Sequence, residues 1–575
     1  MAPMLHLARW FPFLAWPRPR PELLLGEFWA GLTVGLMLLP QGVAYAALAG
    51  MPLVTGIYAS LIPALIAVLW SASPRLGVGP TALTSLLIGA SLLGLAEPGS
   101  AHWVNLAVWI ALLSGLLQCA LGALRAGWLL NLVTSPVLNG FTQAAGLLIL
   151  ASQLPALLGL RTTWNAFFSG PSLYHFDPRA AAIGLASVAL LLALKRWRAG
   201  FPAAMVVAAL AGALSWAMGF ADHGGSVVGT LPAGLPTLHW PGWLAGSDLA
   251  ALIMPVLVIS LVSFLETASS AQAEHRMAGT RWNENQDLLA QGMAKISSGL
   301  CGSFATSASF SRSAVNLMAG ARTGWATVFA IGFVFIVLLW LTPALYHVPQ
   351  SALAAIVVTA VLNLIKPQTM FRLWRISRTE ACIGLATCAL TLATAPQLYW
   401  GVLAGIVMGL CHFLYQRLHP RIIEAGLHAD GSLRDRHLWH LPALAPGAFV
   451  LRMDAELDFA SARALEQRIV DHLGAHPQIR HLCLLAQPIN RIDITGIETF
   501  TRIRSLLRQR GGTLHVSGLK LPVENGLRRA GALQPAPDLA LYRTDAEALA
   551  ALQHVAPQPA RQAVGNCDAD TLSQH

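Results

Sequence analysis

Ser307-Ala-Ser-Phe-Ser-Arg-Ser-Ala-Val-Asn-Leu-Met-Ala-Gly320 is too short and too polar to cross a bilayer, yet it is wedged between long apolar runs. A spanning helix needs about 20 mostly apolar residues. An arginine with hydroxyls and an amide at membrane depth is costly, so such groups normally face a cavity and a ligand. Upstream, the apolar run Pro255-Val-Leu-Val-Ile-Ser-Leu-Val-Ser-Phe-Leu265 puts a carboxylate, Glu266, at its far end. A polar loop and a second apolar helix from about Asp287 join the two. Residues 255–320 therefore read as half of an anion-binding site.

The rest of the chain agrees with a membrane setting. Of 575 residues, 55% are hydrophobic and 11% charged, against roughly 25% charged in soluble chains. Repeated apolar runs then require a polytopic α-helical membrane protein. Arginines and prolines precede the first run without a small-residue cleavage site, so that run is expected to be retained. Seven cysteines, never at C-x-x-C spacing, suggest neither a disulfide framework nor a zinc site. No cofactor or metal is expected. The net charge of +10 is uneven: residues 1–420 hold 20 Lys/Arg and 11 Asp/Glu, residues 421–575 hold 17 and 16. That excess reads as positive-inside bias and lipid headgroup contact. Nucleic acid is excluded as a partner, because the polar C-terminal part is nearly neutral and has no basic stripe.

Apolar runs lie near 28–48, 56–70, 77–89, 102–122, 128–152, 179–195 and 202–220, and again near 249–270, 287–303, 309–320, 324–342, 351–365, 379–395 and 398–416. Seven plus seven segments imply halves of opposite orientation, the inverted-repeat plan of secondary transporters. The third segment of each half is short, opens on small polar residues and closes on glycine, Thr81…Gly89 and Ser309…Gly320. Pro40-Gln41-Gly42 predicts a broken or kinked first helix. Loop cations place both termini in the cytosol: the N-terminal arginines (Arg9, Arg18, Arg20), Arg125, Lys195 to Arg198, Arg276 with Arg281, Lys366 with Arg372, Arg375 and Arg378, and Arg417 with Arg421. Arg75 and Arg161 fit that scheme less easily. The predicted organisation is a lead-in over 1–27, a transmembrane domain over 28–420, a small cytosolic α/β domain over 437–553 and a disordered tail over 554–575.

Two half-length helices meeting N-terminus to N-terminus would present unpaired N–H groups and about half a positive charge each. Together they form an anion site. Arg312 adds a planar, permanently charged fork, and Thr81, Ser309, Ser311 and Ser313 add hydroxyl donors. Serines at such spacing also pack small faces between helices. Glu266, in dry surroundings, is suited to take up and release a proton, or to pair with an arginine or with backbone N–H groups. Lys295, inside the ninth run, is expected to snorkel, with pairing to Glu266 or contact with substrate as alternatives. Gln41 either contacts a ligand or caps freed backbone groups.

Leu39-Pro-Gln-Gly-Val-Ala-Tyr-Ala46, Val78-Gly-Pro-Thr-Ala-Leu-Thr-Ser85, Ser309-Phe-Ser-Arg-Ser-Ala-Val-Asn316 and Ala319-Gly-Ala-Arg-Thr323 resemble the sulfate permease (SulP) family, bacterial relatives of the mammalian solute-carrier 26 anion transporters. The resemblance covers about residues 22–550. It implies fourteen transmembrane segments in core and gate subdomains, an elevator-like motion and a homodimer. It also implies a C-terminal STAS domain, with Asp493-Ile-Thr-Gly496 as its helix-opening signature. By the same resemblance the substrate site falls on Gln41, Thr81, Ala82, Ser309, Phe310, Ser311 and Arg312, and cation coupling on Glu266. A lone glutamate there favours protons over sodium. Lys295 departs from the family pattern, where a small or amide residue is usual. Thr495 occupies a position that can be phosphorylated in stand-alone STAS proteins, although helix capping explains a threonine there as well. The expected function is proton-coupled uptake of sulfate. Sodium- or proton-coupled bicarbonate or C4-dicarboxylate transport, anion exchange and a channel are the alternatives. No nucleophile–base pair, metal triad or nucleotide loop supports an enzyme.

Overall fold

A computed structural model describes residues 11–160, 176–197, 201–232, 234–362, 364–445 and 447–555. Arg9, Arg161, Arg198 and the tail beyond Val555 lie outside the described residues. The chain divides into two compact units, residues 1–409 and 410–575.

The first unit is helical. Its first half contains α1 (Pro21–Leu48), α2 (Leu53–Tyr58), α3 (Ile62–Trp70), strand β1 (Val78–Gly79), α4 (Ala82–Leu92), α5 (Ala101–Ala123), α6 (Ser135–Leu157), α7 (Pro178–Trp197) and α8 (Ala203–Ala217). The second half contains α9 (Gly246–Ala278), α10 (Glu284–Leu300), strand β2 (Ser307–Ala308), α11 (Phe310–Met318), α12 (Trp325–Ile336), α13 (Gln350–Val361), α14 (Pro367–Ile376), α15 (Arg378–Ala393) and α16 (Tyr399–Leu418). The third element of each half has the same build, a two-residue strand running into a short helix. At 1.5 Å per residue, α4 and α11 reach only about half-way across a hydrocarbon core of roughly 30 Å.

One expectation about this unit is corrected. Of the predicted break or kink in the first helix, the break is absent: α1 runs on through Pro40. A proline removes one backbone donor, and the helix on either side is held by buried neighbours. The interruption falls in the second segment, where residues 59–61 separate α2 from α3 and Pro63 is the second residue of the new helix. The gap lies beside a close helix contact, for a Cβ on Gly56 would stand 1.9 Å from the Gly42 carbonyl oxygen. Arg75, awkward as a topology marker, has a structural role instead: its Nε lies 2.9 Å from Glu274 Oε1.

The helices fall into two groups. One contains β1, α3 to α5, α9 to α11 and β2. The other contains α6 to α8, α13 and α15. The α1 helix packs on α12 and also reaches α8 and α13.

The second unit contains a six-stranded sheet of order β4-β3-β5-β6-β7-β8. Its strands are β3 (Ile422–Leu427), β4 (Leu433–Asp435), β5 (Ala448–Met453), β6 (His481–Leu485), β7 (Thr513–Ser517) and β8 (Leu539–Tyr542). Strands β5 to β8 are parallel and β3 pairs antiparallel with β4 and β5. Helices α17 (Ala462–Ala475), α18 (Ile494–Gln509), α19 (Leu521–Arg529) and α20 (Asp545–Val555) connect or follow them. One core packs Phe449, Leu482 and Val516 against Leu465, Ile469 and Phe500 of the helices. Strands β3, β4 and β8 were not anticipated; β4 and β8 are short, at three and four residues. The helix at Asp493-Ile-Thr-Gly496 starts where expected, but the cap is Asp493, whose Oδ1 accepts from Gly496 N at 2.8 Å. Thr495, half-buried in the first turn, makes no capping bond.

Candidate anion site

The site begins with backbone pairing. β1 and β2 are antiparallel, with Val78 opposite Ala308 and Gly79 opposite Ser307. The pairing sets the beginnings of α4 and α11 side by side. Each helix has a hydroxyl N-cap: Thr81 Oγ1 accepts from Thr84 N, and Ser309 Oγ from Arg312 N, both at 3.4 Å. Such caps satisfy one of the free N–H groups at a helix start and leave others for a ligand. Ser313 acts as a clip, its Oγ accepting from Gly77 N at 3.0 Å.

The crossing is braced from behind. Buried Asp287 Oδ1 accepts from Ser71 Oγ at 2.6 Å and Ala72 N at 2.7 Å, while Oδ2 accepts from Ser73 Oγ at 2.6 Å and Trp282 Nε1 at 2.7 Å. Asn316 Nδ2 donates to Arg75 O at 2.9 Å. These bonds tie the loop before β1 to α10 and α11, so the two helix starts are held as one piece.

In front of the crossing is a cavity of about 310 Å³. One wall carries Thr81, Ala82, Ser309, Phe310, Ser311, Glu266, Ser269 and Tyr45. The opposite wall carries Asn139 and Thr142 of α6, Ala360 of α13, and Leu364 and Lys366 beyond it. Glu266 is bonded directly to the α4 start: its Oε2 accepts from Thr81 Oγ1 at 3.1 Å and from Thr84 Oγ1 at 3.2 Å. The carboxylate and any anion held at that helix end thus compete for the same positive field.

Arg312 is placed differently from the cavity-facing residues. It is fully buried, and its Nη1 donates to Pro80 O at 2.9 Å. Its Nε and Nη2 have no partner among the described residues. The guanidinium does not line the cavity, and it adds a full charge behind both helix starts. Gln41 is buried in α1, with Oε1 unpartnered, and is likewise absent from the cavity lining.

Lys295 does not snorkel. It is fully buried, and its Nζ donates to Gln118 Oε1 at 2.9 Å and to Ser263 Oγ. Gln118 Nε2 in turn donates to Ser260 O at 2.7 Å. The reason is the tight packing of α5 on α10: a Cβ on Gly292 would lie 2.6 Å from Gly115 O, which leaves the side chain no path to an interface. Pairing with Glu266 is not seen either. Ser263 is one turn before Glu266 on α9, so the ammonium is connected to the site through that helix.

Sequence reasoning missed Tyr45, Asn139 and Thr142, and it read Lys366 only as a topology marker. Tyr45 did lie within a quoted motif. The others have no local signal, because only the approach of α6 and α13 makes them neighbours of the crossing.

A sequence profile of the sulfate permease family matches residues 24–387. The chain belongs to the sulfate permease family. A STAS domain profile matches residues 443–548. The chain is 32% identical over 541 residues to a probable sulfate transporter of Mycobacterium tuberculosis, covering 93% of this chain and 96% of that one. It is 28% identical over 553 residues to the chloroplastic sulfate transporter 4.1 of Arabidopsis thaliana, covering 91% and 80%. The fold resembles that of the murine Slc26a9 anion transporter in its inward-facing state, with a TM-score of 0.86, 21% identity, and coverage of 96% and 95%. The transmembrane domain of the cyanobacterial bicarbonate transporter BicA gives 0.58 at 21% identity, covering 67% of this chain and 98% of that one. This sulfate permease family member is a multi-pass membrane anion transporter with a cytoplasmic C-terminal STAS domain.

Proposed function

We propose that this family member takes up sulfate together with protons. The observation that carries the reading is the placement of Glu266 on the hydroxyls at the α4 start, inside the cavity. An ionised Glu266 is itself an anion at the helix end where substrate must bind. Protonation removes that competitor and leaves the two helix starts, backed by Arg312, to hold the oxyanion. Proton and anion binding then favour each other, which is the thermodynamic requirement for symport. Substrate contacts are assigned to Thr81, Ala82, Ser309, Phe310 and Ser311, with Arg312 acting through its field. Because the cavity lies between two helix groups and both half-helices belong to one of them, an elevator-like displacement of that group is the motion proposed. Similarity to proteins named as sulfate transporters supports sulfate over bicarbonate.

Full-length protein in proteoliposomes tests this. Uptake of labelled sulfate should rise when the outside is made acidic. Glu266→Gln should abolish that gradient effect while sulfate/sulfate exchange persists. Gradient-driven uptake unchanged in Glu266→Gln would remove Glu266 from coupling, and a sodium requirement would overturn proton symport.

A further inference from the structure

The α14 helix follows α13 and precedes α15, and it has a pattern unlike the other helices of the first unit. Its sequence, Pro367-Gln-Thr-Met-Phe-Arg-Leu-Trp-Arg-Ile376, contains no buried residue. At 3.6 residues per turn, Met370, Phe371, Leu373 and Trp374 fall on one side, with Gln368, Arg372 and Arg375 on the other. The Met370 methyl packs toward Gly384 of α15, which fixes how the helix is seated. Beyond that contact the apolar side is uncovered: Phe371 is 72% exposed and Trp374 45%. Arg372, Arg375 and Arg378 are exposed and make no ion pair among the described residues.

The end of the protein where α14 lies follows from the hairpin after it. Gly401 of α16 sits against Thr391 of α15, and Gly405 against Thr387, so the two helices are antiparallel. The start of α15, and α14 with it, is therefore at the same end as the end of α16, from which the chain passes to its cytoplasmic domain. A ten-residue helix cannot span a bilayer. With aromatic residues on one side and unpaired arginines on the other, it has the chemistry of a helix lying in the plane of the headgroups.

We propose that α14 is a binding surface for anionic phospholipid of the cytoplasmic leaflet. Phe371 and Trp374 enter the acyl boundary, and Arg372, Arg375 and Arg378 hold phosphate groups. The occupant is decided by charge: three unpaired cations around an exposed aromatic edge match an anionic headgroup layer and oppose a second copy of the same surface. Each basic side chain near such a surface contributes roughly a fivefold preference, so three together contribute on the order of 100-fold. Lys366, which caps this helix, lines the anion cavity, so lipid held on α14 fixes the cavity wall that faces the half-helices.

Native mass spectrometry of the detergent-solubilised full-length protein, titrated with phosphatidylglycerol or phosphatidylcholine, reads the binding without reference to substrate. Wild type should retain phosphatidylglycerol over phosphatidylcholine. Arg372→Gln/Arg375→Gln/Arg378→Gln should lose most of that preference, and the corresponding triple lysine variant should keep it, which separates charge from folding. Sulfate uptake in phosphatidylcholine vesicles should rise several-fold when phosphatidylglycerol is included, and only in chains that bind it. Equal phosphatidylglycerol retention by wild type and the triple glutamine variant would overturn the proposal.

Discussion

Arg312 is fully buried with a single side-chain hydrogen bond, from Nη1 to Pro80 O, and two unpartnered side-chain donors. Leaving a buried donor unmade costs about 1–3 kcal/mol, and more on a charged group. A residue kept at that cost has a use for its charge or for its shape, and two substitutions distinguish them. If the charge behind the helix starts is what matters, Arg312→Lys should keep sulfate affinity within a few fold, whereas Arg312→Gln should raise KM by at least tenfold. Equal retention of affinity by both variants would mean that Arg312 only fixes the Pro80 carbonyl, since a lysine ammonium and a glutamine amide can each donate to it. Initial-rate uptake in proteoliposomes checks this. At this scale the near wall of the site was legible, because Thr81, Glu266, Ser309 and Arg312 are polar groups in apolar surroundings. Which of them touch the cavity was not: Arg312 and Gln41 share that signature and lie outside the lining. Lys366 and Asn139 lie within it with no signature. Lys295 was conspicuous for the same reason as Arg312, and its burial depended on a helix contact that only packing reveals.

The apolar runs were readable because length and hydropathy are local properties, and the helices of both halves, α14 apart, fall on them. The β1–β2 crossing was only half readable. Two short polar-headed segments suggested helix starts that meet, but the register depends on loops held by Asp287, whose partners are 214 to 216 residues away along the chain apart from Trp282. Close helix contacts were equally hidden, since a glycine in an apolar run looks the same whether or not another backbone lies against it. Gly56 and Gly246 illustrate the difference. A Cβ on Gly56 would stand 1.9 Å from Gly42 O, where backbone cannot yield, whereas Gly246 has open space. Overpacking typically costs 1–3 kcal/mol. Gly56→Ala should therefore lower the melting temperature of the purified protein by several degrees or prevent its recovery as a monodisperse peak. Gly246→Ala, at the start of α9, should leave both unchanged.

At the scale of the whole molecule, acid acts on two units in opposite senses. In the first, protonation promotes anion binding, according to the proposed role of Glu266. In the second, it weakens the fold. His515 on β7, next to the edge strand β8, is bonded on both sides: its Nε2 lies 3.1 Å from His481 Nδ1 on β6, and its Nδ1 lies 3.1 Å from Tyr542 Oη on β8. A neutral ring can donate with one nitrogen and accept with the other, so the three side chains form one connected chain across the sheet. A second proton would make both nitrogens donors and place a charge among buried strands. Burial, and next the neighbouring His481, push the His515 imidazole down from 6.5 to about 4. The folded domain thus binds fewer protons than the unfolded chain between those values, and stability must fall as pH falls through that window. Above pH 6.5 both states are neutral at this position and the effect vanishes. Hydrogen exchange of the β6, β7 and β8 amides in the full-length protein, corrected for intrinsic rates, should show protection declining from pH 6.5 toward 4. His515→Phe, which has no proton to gain, should flatten most of that decline, leaving the smaller share from His481, whose imidazole is also held down by burial. An unchanged slope in His515→Phe would place the acid sensitivity elsewhere in the domain. With both faces of the membrane acidified equally, sulfate/sulfate exchange by the His515→Phe chain should persist at acidities where the unmodified chain begins to lose active protein.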